Sequence, residues 1–203
     1  MARISAIFWD IGGVLLSNAW DREQRERALA HFNLPVADFE ERHQMVVSSF
    51  ERGLITLDEY LERTLFSHPQ GFTPEAFREF MFSLSQPHPE VLSIARQLAG
   101  SRRYLMASIN NESRDLNQYR IQTFRLREIF TLFVSSCFVG LRKPEEAIYN
   151  LALSLTQREP AESCFIDDRP LNLESAARLG MRTIEMKGAA QLRRDMEKLG
   201  VEI

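Results

Sequence analysis

Strands and helices are predicted to alternate along most of this chain, and the alternation strongly constrains its fold. Five short apolar runs are rich in residues that favour strands: Ile4–Trp9, Tyr104–Ile109, Leu132–Ser135, Ser163–Ile166 and Arg182–Glu185. Stretches with apolar residues on one helical face lie between the later runs: Pro89–Ala99, Arg114–Phe124, Pro144–Leu155 and Pro170–Leu179. Such a pattern predicts an α/β fold with a Rossmann-like parallel sheet that helices cover on both faces.

One long segment interrupts this alternation with helical patterns alone. It is predicted to form four helices: Trp20–Phe32, Val36–Phe50, Leu57–Phe66 and Pro74–Ser83. Thr56 and Glu59 have capping-box spacing at the start of the third helix. The chain leaves the sheet after the first strand and returns before the second. We therefore expect an α/β core of residues 1–17 and 87–203 with a helical cap, residues 18–86, inserted after the first strand, and hinges near Leu16–Ala19 and Ser85–Pro89.

The overall composition is that of an ordinary globular protein. Hydrophobic residues make up 44% of the 203 residues, charged residues make up 26%, and the formal net charge is −3. This charge gives no basic surface for nucleic acid or for an anionic membrane, so neither is expected as a partner. No long apolar span or apolar leader is present, and this predicts a cytoplasmic location.

Several polar residues are predicted to have no role in chemistry. The mixed-charge run from Asp21 to Arg27 is typical of a solvated helix face. The four histidines have no metal-ligand spacing and are expected at the surface or at an interface: His31, His43, His68 and His88. Cys137 and Cys164 lie in apolar, strand-like stretches, and we expect buried free thiols there.

The first strand ends in an aspartate that runs directly into a double-glycine turn. Asp10 follows Trp9, and Gly12 and Gly13 come next. A carboxylate at the carboxyl end of a central parallel strand lies where open α/β sheets bind ligands, and glycines let a ligand approach the backbone. A structural turn is the alternative interpretation of this segment taken alone.

Three later segments end in polar groups at comparable positions. Ser108, Asn110 and Asn111 close the second strand, where they can donate hydrogen bonds to an anion or can simply form a turn. Lys143 precedes Pro144, which is predicted to open a helix, and a lysine there can reach an anion at neighbouring strand ends.

Two adjacent acids, Asp167 and Asp168, follow the strand Ser163–Ile166. Adjacent carboxylates repel each other unless a cation or a lysine offsets their charge. Oxygen ligands from Asp10, Asp168 and a backbone carbonyl suit Mg²⁺. The alternative is that the acids only stabilise the N-terminus of the following helix.

In this order, the four segments resemble the haloacid dehalogenase superfamily of phosphohydrolases. The matching features are Asp-x-x-Gly-Val at Asp10, the polar strand end near Ser108 and Asn110, the Lys143-Pro144 pair, and the paired acids at Asp167. The resemblance covers nearly the whole chain, including a cap after the first motif. The branch it resembles most contains the N-terminal phosphatase domain of soluble epoxide hydrolase and a bacterial sugar-1-phosphate phosphatase.

The resemblance implies a role for each matching residue. Asp10 would be the nucleophile, and Lys143 would neutralise both it and the phosphate. Asp168 would hold Mg²⁺ with Asp10 and the backbone carbonyl of Gly12, and Asp167 would orient the lysine or a metal-bound water. The transferring phosphate would be bound by residues in the first two motifs, with the choice between Ser108 and Asn110 left open: Gly12, Gly13, Ser108, Asn110 and Asn111.

One position departs from the superfamily pattern. Gly12 replaces the aspartate that usually acts as general acid and base two residues after the nucleophile. The first expectation is therefore a Mg²⁺-dependent phosphatase of a small phosphorylated metabolite, with a phospho-aspartate intermediate at Asp10. The alternative is a catalytically weak protein that binds phosphorylated ligands or a protein partner. Metal-free dehalogenation is a third hypothesis, which the acidic pair and the absence of a tyrosine near Asp10 disfavour.

Overall fold

A computed structural model describes residues 2–18 and 20–203 of the chain. Its centre is a five-stranded parallel sheet in the order β3-β2-β1-β4-β5. The strands are β1 (Ala6–Trp9), β2 (Leu105–Asn110), β3 (Leu132–Ser135), β4 (Ser163–Asp167) and β5 (Arg182–Glu185). All five predicted strands are confirmed, and β1 lies in the middle of the sheet. Ala19, part of the predicted hinge at Leu16–Ala19, lies outside the described residues, as does Met1.

The register of the sheet brings the candidate residues to one edge. Trp9 on β1 pairs with Ser108 on β2 and with Ile166 on β4. Asp10 therefore follows β1 at the same level at which Asp167 ends β4. Because parallel strands have their carboxyl ends at a common edge, residues far apart in sequence meet there.

The inserted segment after β1 contains four helices and one π-helical turn. They are α1 (Arg22–His31), α2 (Val36–Glu51), α3 (Leu57–Leu61) with the π-helical turn Glu62–Phe66, and α4 (Pro74–Ser83). The Thr56–Glu59 capping box is present, and the Thr73 side chain caps α4. An aromatic cluster fills the space between these helices, with Tyr60 stacked on Phe50 at 4.0 Å between ring centroids. These helices therefore pack around a hydrophobic core of their own.

The remaining helices cover both faces of the sheet, as the alternating pattern predicts. They are α5 (Pro89–Ser101), α6 (Arg114–Thr123), α7 (Ser136–Val139), α8 (Glu146–Thr156), α9 (Pro170–Arg178) and α10 (Ala189–Lys198). One apolar cluster packs α5 and α10 against β1 around Trp9, and a second packs α8 and α9 around Phe8 and Phe165. Cys137 and Cys164 are buried free thiols, as expected.

Two local predictions were wrong. Helix α8 begins at Glu146 and not at Pro144, because the backbone of Glu145 is still extended with a ψ of 129°. The run from Asp21 to Arg27 is not a fully solvated face, because Gln24 and Arg25 are buried on the inner side of α1. Within the described residues, no helix has the length and apolar character needed to cross a bilayer.

Candidate active site

A cavity of about 530 Å³ lies between the carboxyl edge of the sheet and the inserted helices. Asp10, Gly12, Lys143 and Asn172 line it from the sheet side. Trp20, Arg25 and His43 line it from the inserted helices. The cavity therefore brings the predicted strand-end residues together with side chains from the segment between β1 and β2.

Asp10 is held in place by two hydrogen bonds at the floor of this cavity. The main-chain N–H of Ile11 donates to Oδ1 of Asp10 at 2.7 Å, and Nζ of Lys143 donates to Oδ2 at 2.9 Å. Only 7% of Asp10 is exposed. The carboxylate is thus fixed in one orientation with a cation beside it, as a positioned nucleophile requires.

Asp167 is saturated with hydrogen bonds and is completely buried. It accepts from Nζ of Lys143 at 2.7 Å, from the main-chain N–H of Arg169 at 2.8 Å, and from Nδ2 of Asn172 at 3.0 Å. With both oxygens engaged, Asp167 is suited to orienting Lys143, one of the two roles that the resemblance implies for it. Asn172 was not singled out in the sequence, although it follows the acidic pair closely.

Asp168 has an oxygen atom without a partner. Its Oδ1 is buried and accepts no hydrogen bond from the described residues. Carboxylate oxygens of Asp10, Asp167 and Asp168 all lie within 4.8 Å of one another. Three clustered carboxylates, with one oxygen left unsatisfied, fit a hard divalent cation that prefers oxygen ligands.

Gly13 is the residue that makes room for Asp168. Its φ is +75°, and a Cβ atom at this position would lie 2.3 Å from Oδ2 of Asp168. Gly13 lines a neighbouring pocket rather than the main cavity. The second glycine of the turn therefore allows the acidic residue to approach Asp10, and Gly12 faces the cavity itself.

The charges at this edge of the sheet perturb one another. Burial raises the pKa of Asp10 to about 7, although Lys143 acts in the opposite direction. Burial alone would lower the pKa of Lys143, but its attraction to Asp10 and Asp167 outweighs burial and raises it. Lys143 therefore stays protonated, and one ammonium faces three carboxyl groups. A bound divalent cation would offset the remaining negative charge.

Asn111 fixes the backbone of Lys143. Its Nδ2 donates to the carbonyl oxygen of Lys143 at 2.9 Å, and the N–H of Lys143 donates to its Oδ1 at 2.9 Å. This reciprocal pair ties the end of β2 to the loop that carries the lysine. Asn111 lines the cavity, but its side-chain amide is already hydrogen-bonded to the backbone of Lys143.

Ser108 and Asn110 are not brought to the cavity. Neither residue lines it, and because they are two apart on β2 their side chains project from the same face of the strand. Asn110 donates to Oδ1 of Asn117 at 3.0 Å and accepts from Ser135 at 2.8 Å. Ser108 is completely buried, and its hydroxyl has no partner among the described residues. Phosphate binding by their side chains stays a prediction that their positions do not favour.

Other polar residues of the site were missed by sequence reasoning. Arg120 is completely buried and donates to Oε2 of Glu112 at 2.8 Å. Burial raises the pKa of Glu112 to about 7, against the attraction of Arg120. His43, expected at a surface or interface, is buried with 3% exposure at the cavity wall. No motif marks these residues. Glu112 and His43 line the cavity, and Arg120 contacts it only through Glu112.

Comparison with known proteins agrees with this architecture. A family model described as haloacid dehalogenase-like hydrolase matches residues 4–180. The chain belongs to this family. The superfamily resemblance drawn from the four segments is therefore confirmed, and so is the expected fold.

Curated relatives share moderate identity with the chain. Flavin mononucleotide hydrolase 1 of Arabidopsis thaliana is 29% identical over 183 residues, which cover 86% of this chain and 70% of that protein. A sesquiterpene phosphatase of Aspergillus oryzae is 27% identical over 65% of this chain and 67% of that protein. Bifunctional epoxide hydrolase 2 of Mus musculus is 39% identical over 74 residues, and the match covers only 13% of its length.

Solved structures of the same fold are similar over nearly their whole length. A HAD family enzyme of Bacteroides thetaiotaomicron, solved in complex with magnesium and inorganic phosphate, has a TM-score of 0.76 at 23% identity, with coverage of 91% of this chain and 94% of that one. A predicted HAD-like hydrolase of Porphyromonas gingivalis has a TM-score of 0.77 at 22% identity over both complete chains. At these identities, the likeness shows the shared fold.

Proposed function

We propose that this protein is a Mg²⁺-dependent phosphatase that hydrolyses a small phosphorylated metabolite through a phospho-aspartate at Asp10. The observation that carries the proposal is the placement of Asp10 and Lys143 on a cavity large enough for a small phosphomonoester, with Asp168 close to Asp10. The named phosphatase and hydrolase relatives support the same reaction class. So does the magnesium and phosphate complex of a structural neighbour.

In this mechanism, an oxygen of Asp10 attacks the phosphorus atom, the ester P–O bond breaks, and the leaving alkoxide takes a proton from water to become the alcohol. Water then attacks the phosphorus of the acyl phosphate and releases inorganic phosphate, which restores the carboxylate. Lys143 offsets negative charge on Asp10 and on the phosphoryl group, while Asp167 holds the ammonium in position. Charge stabilisation and positioning of this kind supply most of the catalysis in phosphoryl transfer.

We assign the cation to Asp10, Asp168 and the backbone carbonyl of Gly12, with Asp167 next to them. When bound, Mg²⁺ neutralises charge on the phosphoryl oxygens and orients them for in-line attack. The unpartnered Oδ1 of Asp168 supports this assignment. The inserted helices would act as a cap that excludes water during phosphoryl transfer and opens for product release.

Gly12 supports a second candidate function. Without a carboxyl group at this position, general acid–base help worth about 10²- to 10⁴-fold is absent from the usual place. A protein with an intact anion site and slow chemistry would bind phosphorylated ligands or a protein partner with little turnover.

Phosphate release from a broad panel of phosphomonoesters, measured with Mg²⁺ and with EDTA, separates the two. Metal-dependent release is the expected result. Binding of Mg²⁺ and a phosphate analogue without turnover across the panel would favour the binding protein. Chloride release from a 2-haloacid without metal would instead support the dehalogenase hypothesis.

A further inference from the structure

Three side chains from the inserted segment form a series of hydrogen bonds that ends at the cavity. Nε1 of Trp20 donates to the hydroxyl of Tyr60 at 2.8 Å, and this hydroxyl lies 2.8 Å from Nδ1 of His43. Tyr60 is completely buried, whereas Trp20 and His43 line the cavity. These hydrogen bonds therefore connect two cavity residues, Trp20 and His43, through the buried hydroxyl of Tyr60.

The number of donors and acceptors on each of these three side chains determines which one donates in each hydrogen bond. An indole N–H can only donate, so the oxygen of Tyr60 accepts from Trp20. The hydroxyl hydrogen of Tyr60 then has Nδ1 of His43 as its one acceptor among residues 2–18 and 20–203. A buried hydroxyl hydrogen without an acceptor is unfavourable, so Tyr60 donates and Nδ1 accepts. The proton of the neutral imidazole must consequently be on Nε2.

Nε2 is the nitrogen of the His43 ring that is available to hydrogen-bond with a ligand in the cavity. It has no hydrogen-bond partner within residues 2–18 and 20–203, and Nδ1 is taken by Tyr60. The imidazole is also held neutral, because burial and the nearby Arg25 lower the pKa of His43 to about 4. His43 thus presents an uncharged N–H donor whose tautomer and orientation are fixed.

Arg25, a cation near His43, is already paired with a carboxylate. Nε and Nη2 of Arg25 donate to the two carboxylate oxygens of Glu40 at 2.6 and 2.8 Å, and Nη1 donates to the carbonyl oxygen of Trp20 at 2.6 Å. Arg142, the other cation that acts on His43, is paired with Glu51. Since both guanidinium groups are already engaged with carboxylates, this wall of the cavity is not built for a second anionic group. It suits an uncharged oxygen acceptor.

We propose that His43 is a specificity-determining residue whose Nε2–H donates a hydrogen bond to an uncharged oxygen of the alcohol part of the substrate. The inference rests on the proposed phosphatase function and adds a substrate class to it. That class is phosphomonoesters whose alcohol carries a hydroxyl, ether or carbonyl oxygen within reach of the cap wall. Alcohols that carry a second phosphate or a carboxylate at this point are disfavoured.

The tautomer can be tested without any activity. Long-range ¹H–¹⁵N spectra of the histidine rings at pH 7, assigned by loss of one ring in His43→Gln, should show His43 neutral and protonated at Nε2. In Tyr60→Phe, the Nδ1 resonance should shift because its donor is gone. A ring protonated at Nδ1, or a charged ring at pH 7, would overturn the proposal even if the enzyme is an active phosphatase.

The specificity is tested with glucose 6-phosphate and its monodeoxy analogues. At least one missing hydroxyl should lower kcat/KM of the wild type by about tenfold, the value of one hydrogen bond. This discrimination should disappear in His43→Leu and be retained in His43→Gln, in which the side-chain amide can donate from the same place. The matched control His68→Gln alters an exposed histidine outside the cavity and should keep the wild-type pattern.

The possible results distinguish a failure of the proposed role of His43 from a failure of the proposed phosphatase function. Turnover of glucose 6-phosphate with the same deoxy pattern in wild type and His43→Leu would overturn the role of His43 and leave the phosphatase intact. No turnover of any phosphomonoester by the wild type would refute the proposed function, and the role of His43 in specificity with it. If His43→Leu does not fold, the deoxy pattern of Tyr60→Phe decides, and an unchanged pattern there counts against the proposal.

Discussion

Replacing Gly13 by alanine tests whether Asp168 must approach the turn after β1 in order to bind a cation. Two costs are expected. The φ of Gly13 is +75°, and an alanine in this left-handed region costs about 1–2 kcal/mol. The new Cβ would also lie 2.3 Å from Oδ2 of Asp168, so the carboxylate would have to move by about 1.1 Å to reach an ordinary contact of 3.4 Å.

Gly140 provides a matched control for the backbone cost. Its φ is +71°, and no atom lies within 4 Å of the position that a Cβ would take. Gly140→Ala should therefore show the backbone cost alone. The difference between the two variants isolates the displacement of Asp168.

The assay is the affinity for Mg²⁺, measured by calorimetric titration, with stability measured by urea unfolding. A cation site tolerates about 0.5 Å of misplacement, so Gly13→Ala should bind Mg²⁺ at least about tenfold more weakly than wild type. Gly140→Ala should bind it like wild type and lose about 1–2 kcal/mol of stability. Equal Mg²⁺ affinity in both variants would refute the assignment of Asp168 as a ligand.

Three further predictions concern the buried charges and the close contacts between segments. Lys143→Met removes the cation between two buried carboxylates and should cost about 3–5 kcal/mol of unfolding free energy in metal-free buffer, whereas the exposed control Lys198→Met should be near neutral by the same measurement. The pKa of His43 is lowered from 6.5 to about 4 in the folded protein. As the pH falls from about 6.5 to about 4, the unfolded chain binds a proton at His43 before the folded protein does, so the free energy of unfolding decreases. The loss should reach about 2 kcal/mol and be absent from His43→Gln, and an identical pH dependence of both proteins contradicts the burial argument. Gly53→Ala would place a Cβ 2.2 Å from the carbonyl oxygen of Cys137. This variant should be destabilised by about 1–3 kcal/mol more than the control Gly200→Ala, because Gly200 has a similar φ but open space around the Cβ position. Equal stability of the two variants in urea unfolding would contradict the predicted contact.

The sequence predicts the sheet and its acidic edge because both depend on local patterns. Strand residues such as Ile7 and Phe165 lie in short apolar runs, and Asp10, Asp167 and Asp168 directly follow such runs. Once the sheet is parallel, its topology alone brings these carboxylates to one edge. No detailed packing has to be known.

Other parts of the site depend on details that the sequence does not specify. Which of Ser108, Asn110 and Asn111 meets the cavity depends on where β2 ends and on the direction in which each side chain projects, and a shift of one residue reverses the answer. His43 and Arg25 reach the cavity only through the packing of α1 and α2, which are connected to it by no motif. The start of α8 was misplaced because a proline before an extended residue looks like a proline in the first helical turn.

At Gly12 the site lacks the side chain that usually donates and accepts protons during hydrolysis. The nucleophile, the lysine and the acidic pair are all in position, while the usual acid and base is a glycine. A neutral His43 is a hydrogen-bond donor and not a strong acid, so it does not replace the missing carboxyl group. Substrates with good leaving groups should therefore be hydrolysed faster than those with poor ones, since they need less protonation.

The most direct test of the central claim compares wild type with Asp10→Asn on an activated phosphomonoester, with Mg²⁺ and with EDTA. We expect metal-dependent phosphate release by the wild type and a loss of at least about 10³-fold in the variant, because Asp10 is the carboxylate that Lys143 holds in place as the nucleophile. An Asp10→Asn protein that is folded, binds Mg²⁺ and releases phosphate as fast as the wild type would contradict it.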